Sequence, residues 1–92
     1  MNRHHIEASY DRPVDVLHLV MGNPQAYEGD GLPFGVEIDY SIKTGAPCGA
    51  KVIGFERNGW RNKIPELANL IASHLSVEDK DVLHAVKKIV GQ

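Results

Sequence analysis

The stretch YDRPVDVLHLV, residues 10–20, decides how the chain is interpreted, because it joins two aspartates and a proline to an alternating apolar run. The run after Asp15 is rich in aliphatic and β-branched side chains, which favours a β-strand. Residues 5–11 can form a preceding strand, and Pro13 presets φ for a tight turn between the two. Asp11 and Asp15 are then either corner residues of a hairpin or a carboxylate pair for metal or acid–base chemistry.

The hairpin interpretation is favoured, because no further carboxylates cluster nearby in sequence and hard cations usually need several oxygen ligands. In this interpretation Asp11 accepts backbone N–H bonds in an Asx-turn and holds the hairpin in register. Asp11 and Asp15, with Gly45 and Gly49 further along the chain, are therefore assigned to turns rather than to a reaction.

Two segments after the hairpin extend the sheet. Residues 22–35 are rich in glycine and proline and predict an irregular connection, with one short edge strand around residues 26–28. GVEIDYS, residues 35–41, alternates apolar and polar side chains, which predicts a strand with one face in water.

The last predicted strand, AKVIGFER (residues 50–57), has apolar residues on both faces, which indicates a central strand. Strand alternation places Ile53 and Phe55 on one face, with Val52 and Gly54 on the other. This segment ends the glycine-rich half of the chain.

After residue 58, apolar side chains recur at helical spacing in two segments. In residues 62–75, Pro65 suits the first helical turn, where N–H groups have no intrahelical acceptor. The second helix is predicted to begin at SVED, with Ser76 as its cap and Asp79 approximating a capping box. The fold prediction is α+β in one domain, residues 1–92: an antiparallel β-meander of four to five strands over 6–57, then two C-terminal amphipathic helices over 58–92.

Length and composition restrict the function. A chain of 92 residues with 42% hydrophobic and 24% charged residues is an ordinary globular domain with a thin core, for which dimerisation would bury more surface. A net charge of −2 provides no basic excess, so nucleic-acid binding is disfavoured. The longest apolar run is far below the roughly 20 residues of a membrane span, and the N-terminus lacks a signal-peptide pattern, which together predict a cytoplasmic protein.

The order and spacing of the strand motifs resemble the YuzE-like domain of unknown function, found in small bacterial proteins. The resemblance covers about residues 6–57, and the matching positions are Tyr10, Asp11, Asp15, Leu17, Leu19, Gly35, Val36, Ile38, Asp39, Gly45 and Gly49. It implies a small β-meander with no established activity. The turn KTGAPCGA is longer than is usual in that family, and residues 58–92 add helices that the minimal domain lacks. Some relatives are encoded beside small toxin-like proteins, which suggests an antitoxin or partner-binding role.

No metal or cofactor site is predicted. The histidines are dispersed and show none of the usual zinc-ligand spacings: His4, His5, His18, His74 and His84. Cys48 alone excludes an intrachain disulfide, and no base or electropositive setting that would make it a nucleophile can be assigned from the sequence.

The segment FERNGWRNK, residues 55–63, places Arg57, Arg61 and Lys63 around the only tryptophan, Trp60. Tryptophan and arginine are favoured at interface hot spots, and such residues also stack on bases or anionic ligands. The alternative is a Trp60 lid over the junction of sheet and helix, with the cations in solvent.

Three functions remain open from the sequence. The favoured one is a non-enzymatic interaction module that forms a homodimer, binds a protein partner, or does both. The second is an antitoxin-like or nucleic-acid-associated regulator that makes contact through Arg57, Trp60 and Arg61. The third is a small-ligand or hydrolytic enzyme, which requires several of its candidate residues to converge in one pocket: Asp11, Asp15, His18, Glu37 and Asp39.

Overall fold

The computed structural model describes residues 5–22 and 27–90, which form one antiparallel sheet followed by two helices. The strands are β1 (Ile6–Asp11), β2 (Val16–Met21), β3 (Tyr27–Gly31), β4 (Val36–Ser41) and β5 (Pro47–Ile53). The helices are α1 (Ile64–Leu75) and α2 (Asp79–Val90). The α+β class and the two C-terminal helices are confirmed.

The strand order in the sheet is β1-β2-β5-β4-β3. β1 and β2 form a hairpin, and β3, β4 and β5 form a three-stranded meander. The meander joins the hairpin through β5, which pairs with β2. The last strand in sequence is thus the central strand, as its apolar composition indicates, and β1 and β3 are the two edges.

Both helices pack on the same face of the sheet and form one core with it. Residues two apart on β2, β4 and β5 point to this face, as the period of a strand requires. The fully buried members include Leu17, Leu19, Val36, Ile38, Val52, Leu67, Ile71, Val82 and Val86. Burial of each such side chain contributes about 1.5–3 kcal/mol. The other face, here called the open face, is covered by neither helix.

The predicted strand over residues 50–57 is too long. β5 ends at Ile53, because Gly54 has a φ of +76° and turns the chain away from the sheet. Ile53 is consequently 44% exposed on the open face, whereas Phe55 is fully buried on the helix side. The prediction that these two residues share a face is wrong.

The remaining boundaries differ in detail. The edge strand runs over Tyr27–Gly31; residue 26 of the predicted strand lies outside the described residues. Ser76 does not cap α2 but ends α1 in the left-handed conformation, its N–H bonding to Ala72 O. Gly49, predicted to lie in a turn, belongs to β5. Among the described residues no helix is long and apolar enough to cross a membrane.

Candidate functional site

Asp15 connects the β1–β2 turn to the turn that follows β5. It ends a short 3₁₀ turn (Arg12–Val14) in the left-handed conformation, with a φ of +58°. Its Oδ1 accepts hydrogen bonds from the Tyr10 hydroxyl at 2.7 Å and from the Glu56 N–H at 2.8 Å. Its Oδ2 accepts the Arg57 N–H at 3.0 Å. The backbone takes part too, because Asp15 O accepts the N–H of Gly54 at 2.8 Å.

These bonds define the chemistry available to Asp15. Partial burial raises its pKa, but the hydrogen bonds from Glu56, Tyr10 and Arg57 outweigh that effect and hold the pKa below the ordinary 3.8. The carboxylate is therefore ionised, and both oxygens are occupied within the chain. The arrangement suits a positioning group rather than a base or a metal ligand.

Asp11 has a different environment from Asp15. It is exposed, and it makes no side-chain capping bond at the start of the 3₁₀ turn. The backbone N–H bonds expected for Asp11 are made instead by Asp15, and they reach a distant turn rather than the local one.

Tyr10 provides a spectroscopic test of the Asp15 contact. Its hydrogen bond to Asp15, together with burial and the Asp15 charge, raises the Tyr10 pKa from 10.0 to about 12. A raised pKa stabilises the fold fully below pH 10, and this contribution is lost as the pH rises toward 12. We expect Tyr10→Phe to remove the step in tyrosinate absorbance near pH 12. Tyr27→Phe, the control, should retain that step. If all the tyrosines of the wild type ionise well below pH 12, the hydrogen bond between Tyr10 and Asp15 would be contradicted.

Phe34 combines an exposed aromatic side chain with a left-handed backbone. It lies in the β3–β4 connection with a φ of +62°, a region that costs a non-glycine residue about 1–2 kcal/mol. Its side chain is 73% exposed. Its carbonyl accepts hydrogen bonds from the Trp60 indole N–H at 3.1 Å and from Asn58 Nδ2 at 3.2 Å. The rest of the fold therefore holds an aromatic ring in solvent on a strained backbone.

The cations singled out around Trp60 divide into two groups. Trp60 itself is buried, and Arg61 donates to Glu56 Oε2 from Nε at 2.6 Å and to Val90 O from Nη1 at 2.6 Å. Lys63 Nζ lies 4.9 Å from the centre of the Trp60 ring. Arg57 is the exception, since its side chain is 68% exposed and its closest acidic neighbour, Asp15, is 4.0 Å away.

Arg57 and Phe34 lie at the same end of the sheet. Asn58 bridges the carbonyls of Phe34 and Ile53, with 3.2 Å to each. Ile53 pairs with the first residue of β2, next to the Asp15 turn, and in that turn Val14 is 57% exposed. We call these four residues, Val14, Phe34, Ile53 and Arg57, the Phe34 surface.

The residues named for an enzyme lie in more than one place: His18, Glu37 and Asp39 are near Lys51, and Asp15 is not. His18 and Glu37 both lie opposite Lys51 on the open face, in register on neighbouring strands. Asp39 is on the same face but is buried, where Lys51 Nζ donates to its two oxygens at 3.0 and 3.1 Å. Partial burial lowers the pKa of Lys51, but the hydrogen bond and charge of Asp39 outweigh it and raise the pKa. Asp15 faces Tyr10 and the turn after β5 instead.

Metal and thiol chemistry find no support in the described part of the chain. No three His, Cys, Asp or Glu residues there are close enough to hold a metal ion. His5 contacts Glu7 at 3.0 Å and His74 contacts Leu70 O at 3.0 Å, while His4 is outside the described residues. Cys48 is buried, and this burial, with the charge of Asp39, raises the pKa of its thiol.

Sequence reasoning missed Phe34 as a surface residue. The available signal is the segment Leu32–Gly35, in which proline precedes and glycine follows an aromatic residue between two strands. No model of a known protein family matches the chain, and comparisons with curated proteins and with solved structures give no match.

Proposed function

We propose that the protein is a non-enzymatic interaction module that binds a protein partner through the Phe34 surface. The observation that carries the proposal is the exposed aromatic ring of Phe34 on a left-handed backbone. Strained positions persist only where the surrounding structure enforces them, and they concentrate at functional sites. Here the enforcement comes from two side-chain donors directed at a single carbonyl oxygen.

The composition of the Phe34 surface supports a protein as the ligand. Exposed aromatic side chains and arginine are the residues that most often dominate protein–protein interfaces. Val14 and Ile53 add exposed aliphatic area at the same end of the sheet. Arg57 is held near the surface by its backbone N–H bond to Asp15, while its guanidinium remains exposed. The Asp15 turn and Trp60 therefore support this surface, whereas Phe34 and Arg57 would make the contact.

Replacement of Phe34 by glycine tests the backbone strain and the partner contact by two different measurements. We expect Phe34→Gly to raise the free energy of unfolding by about 0.5–1 kcal/mol, because the left-handed penalty is removed while glycine adds some entropy to the unfolded chain. The same variant should lose the partner that the wild type captures from extracts of its host. Chemical denaturation measures the first effect and quantitative affinity purification the second.

Ile42→Gly is the matched control, since Ile42 is 60% exposed in the β4–β5 turn, outside the Phe34 surface. It should retain the partner. A Phe34→Gly protein that captures the same partner as efficiently as the wild type would rule out this surface as the contact.

A further inference from the structure

A groove separates the edge strand β1 from one flank of helix α2. Ile6, Ala8, Ala85 and Ile89 provide its apolar wall, and Ile89 is 39% exposed. Because β1 is the outermost strand of the described sheet, alternate N–H and C=O groups along it point away from the sheet and have no strand partner within residues 5–22 and 27–90. A ligand for this groove therefore has to supply both a strand and apolar side chains.

The two edges of the sheet differ in how they are protected. Each edge strand carries two carboxylates, but β3, with the sequence YEGDG, is one residue shorter than β1 and contains two glycines, which weaken a strand. β1 pairs with β2 over all six residues without a register shift, and it contains no proline or glycine. β1 is thus the edge that accepts a further strand.

The charges along the groove match a second copy of the same surface. Glu7 and Asp81 are negative, and Lys80 and Lys88 are positive, so the two signs are equally represented. A twofold interface brings each patch against itself, which requires a patch carrying both signs rather than one. An acidic or a basic foreign segment would meet like charges in this groove as well as opposite ones.

We propose that this protein forms a twofold dimer in which the β1 strands of two copies pair antiparallel and each α2 covers the junction. The five-stranded sheets then continue as one sheet of ten strands. The helix flanks of the two copies, with Ala85 and Ile89, meet over the axis. This interface shares no residue with the Phe34 surface and does not depend on the function proposed for it.

The register of the new strand pair follows from strand geometry. Opposed residues share a face, so a twofold axis must pass beside a residue that pairs with its own copy. An axis at Glu7 would oppose two like charges, which is destabilising. An axis at Ala8 opposes two methyl groups on the helix side. It also gives three further pairs: Glu7 with the partner's Ser9, Ile6 with the partner's Tyr10, and His5 with the partner's Asp11.

Sedimentation equilibrium across the micromolar range tests the dimer and its location. The wild type should be dimeric, and Ile89→Glu should raise the dissociation constant on the order of 100-fold, because the substitution occurs twice in a twofold interface. Ile42→Glu, in the β4–β5 turn and not among the residues that line the groove, should leave the constant unchanged. Thermal unfolding followed by circular dichroism checks that both variants are folded.

Disulfide trapping tests the register independently. Ala8→Cys should cross-link to itself under mild oxidation, because directly opposed Cβ atoms approach to about 4.5 Å, which is the upper end of the Cβ–Cβ range of disulfides. Glu7→Cys alone should not cross-link, whereas a mixture of Glu7→Cys and Ser9→Cys should. The native Cys48 is buried, so the wild type should not cross-link and serves as the negative control.

A wild-type chain that stays monomeric throughout the range would overturn the proposal. So would a dimer that Ile89→Glu and Ile42→Glu affect equally, or an Ala8→Cys protein that does not cross-link. Ile89→Glu should still capture the protein partner, since the Phe34 surface is intact in that variant. Loss of the dimer and loss of the partner can therefore be told apart.

Discussion

Replacement of Phe55 by alanine is expected to lower the free energy of unfolding by about 3–5 kcal/mol, the range found for buried phenylalanines. The Phe55 side chain has no exposed area, and its ring packs edge-on against Tyr10 with centroids 5.6 Å apart. The Arg61 guanidinium covers the ring at 5.6 Å. Removing the ring leaves a cavity in the core beside Tyr10 and Arg61.

Phe34→Ala is the matched control, because it removes the same atoms from a side chain that is 73% exposed. We expect its effect to stay within about 0.5 kcal/mol, as is usual for surface substitutions. Urea denaturation of both variants measures the difference. Equal losses at the two positions would show that Phe55 is not part of the core.

Asp15→Asn is expected to lower the temperature of thermal unfolding by about 10 °C near neutral pH, which is a large shift for a chain of this size. The asparagine keeps the shape but loses the negative charge, so its bonds to the Tyr10 hydroxyl and the Glu56 and Arg57 N–H groups weaken. One orientation of the amide also directs its NH₂ at a backbone donor.

The pH dependence of the Asp15 variant follows from its lowered pKa. A group whose pKa is lower in the folded state stabilises the fold above its unfolded value, and the contribution is lost as the pH falls through the folded pKa. The difference in stability between wild type and Asp15→Asn should therefore be full above pH 3.8 and shrink below it. Glu56, whose pKa Arg61 lowers, continues to titrate in both proteins.

Asp11→Asn provides the control for Asp15→Asn, since Asp11 is exposed and caps nothing. Its unfolding temperature should remain within about 2 °C of the wild type. If Asp11→Asn were the more damaging change, the hydrogen bonds assigned to Asp15 would be wrong.

Local patterns along the chain were sufficient to predict the elements that bury one face. The alternation over Val36–Ser41 and the helical spacing in the C-terminal half match the observed strand and helices. Both signals arise from the fixed period of side chains along a strand or a helix. These signals can be recognised in the sequence without knowing which other segments pack against the strand or helix.

Contacts between distant segments were not predictable in this way. Asp15 bonds to residues 41 and 42 positions later, and Trp60 bonds to Phe34, 26 positions earlier. The sequence pattern predicts that Phe55 belongs to a strand, because no neighbouring residue indicates that Gly54 turns the chain away from the sheet. Trp60 could be an exposed contact residue or a lid over the junction of sheet and helix. The choice depended on the carbonyl of Phe34, in the β3–β4 connection, which accepts its indole N–H.

By itself the sequence determined the fold class, the existence of short strands in the first half and the two helices in the second. Only the tertiary structure decided that Asp15 rather than Asp11 holds the turns, that Trp60 is turned inward, and that Phe34 and the β1 edge face solvent. The physical reason is that side-chain periodicity is a local property of the backbone. Hydrogen-bond partners, strain and exposed edges depend on which segments meet after the chain has folded.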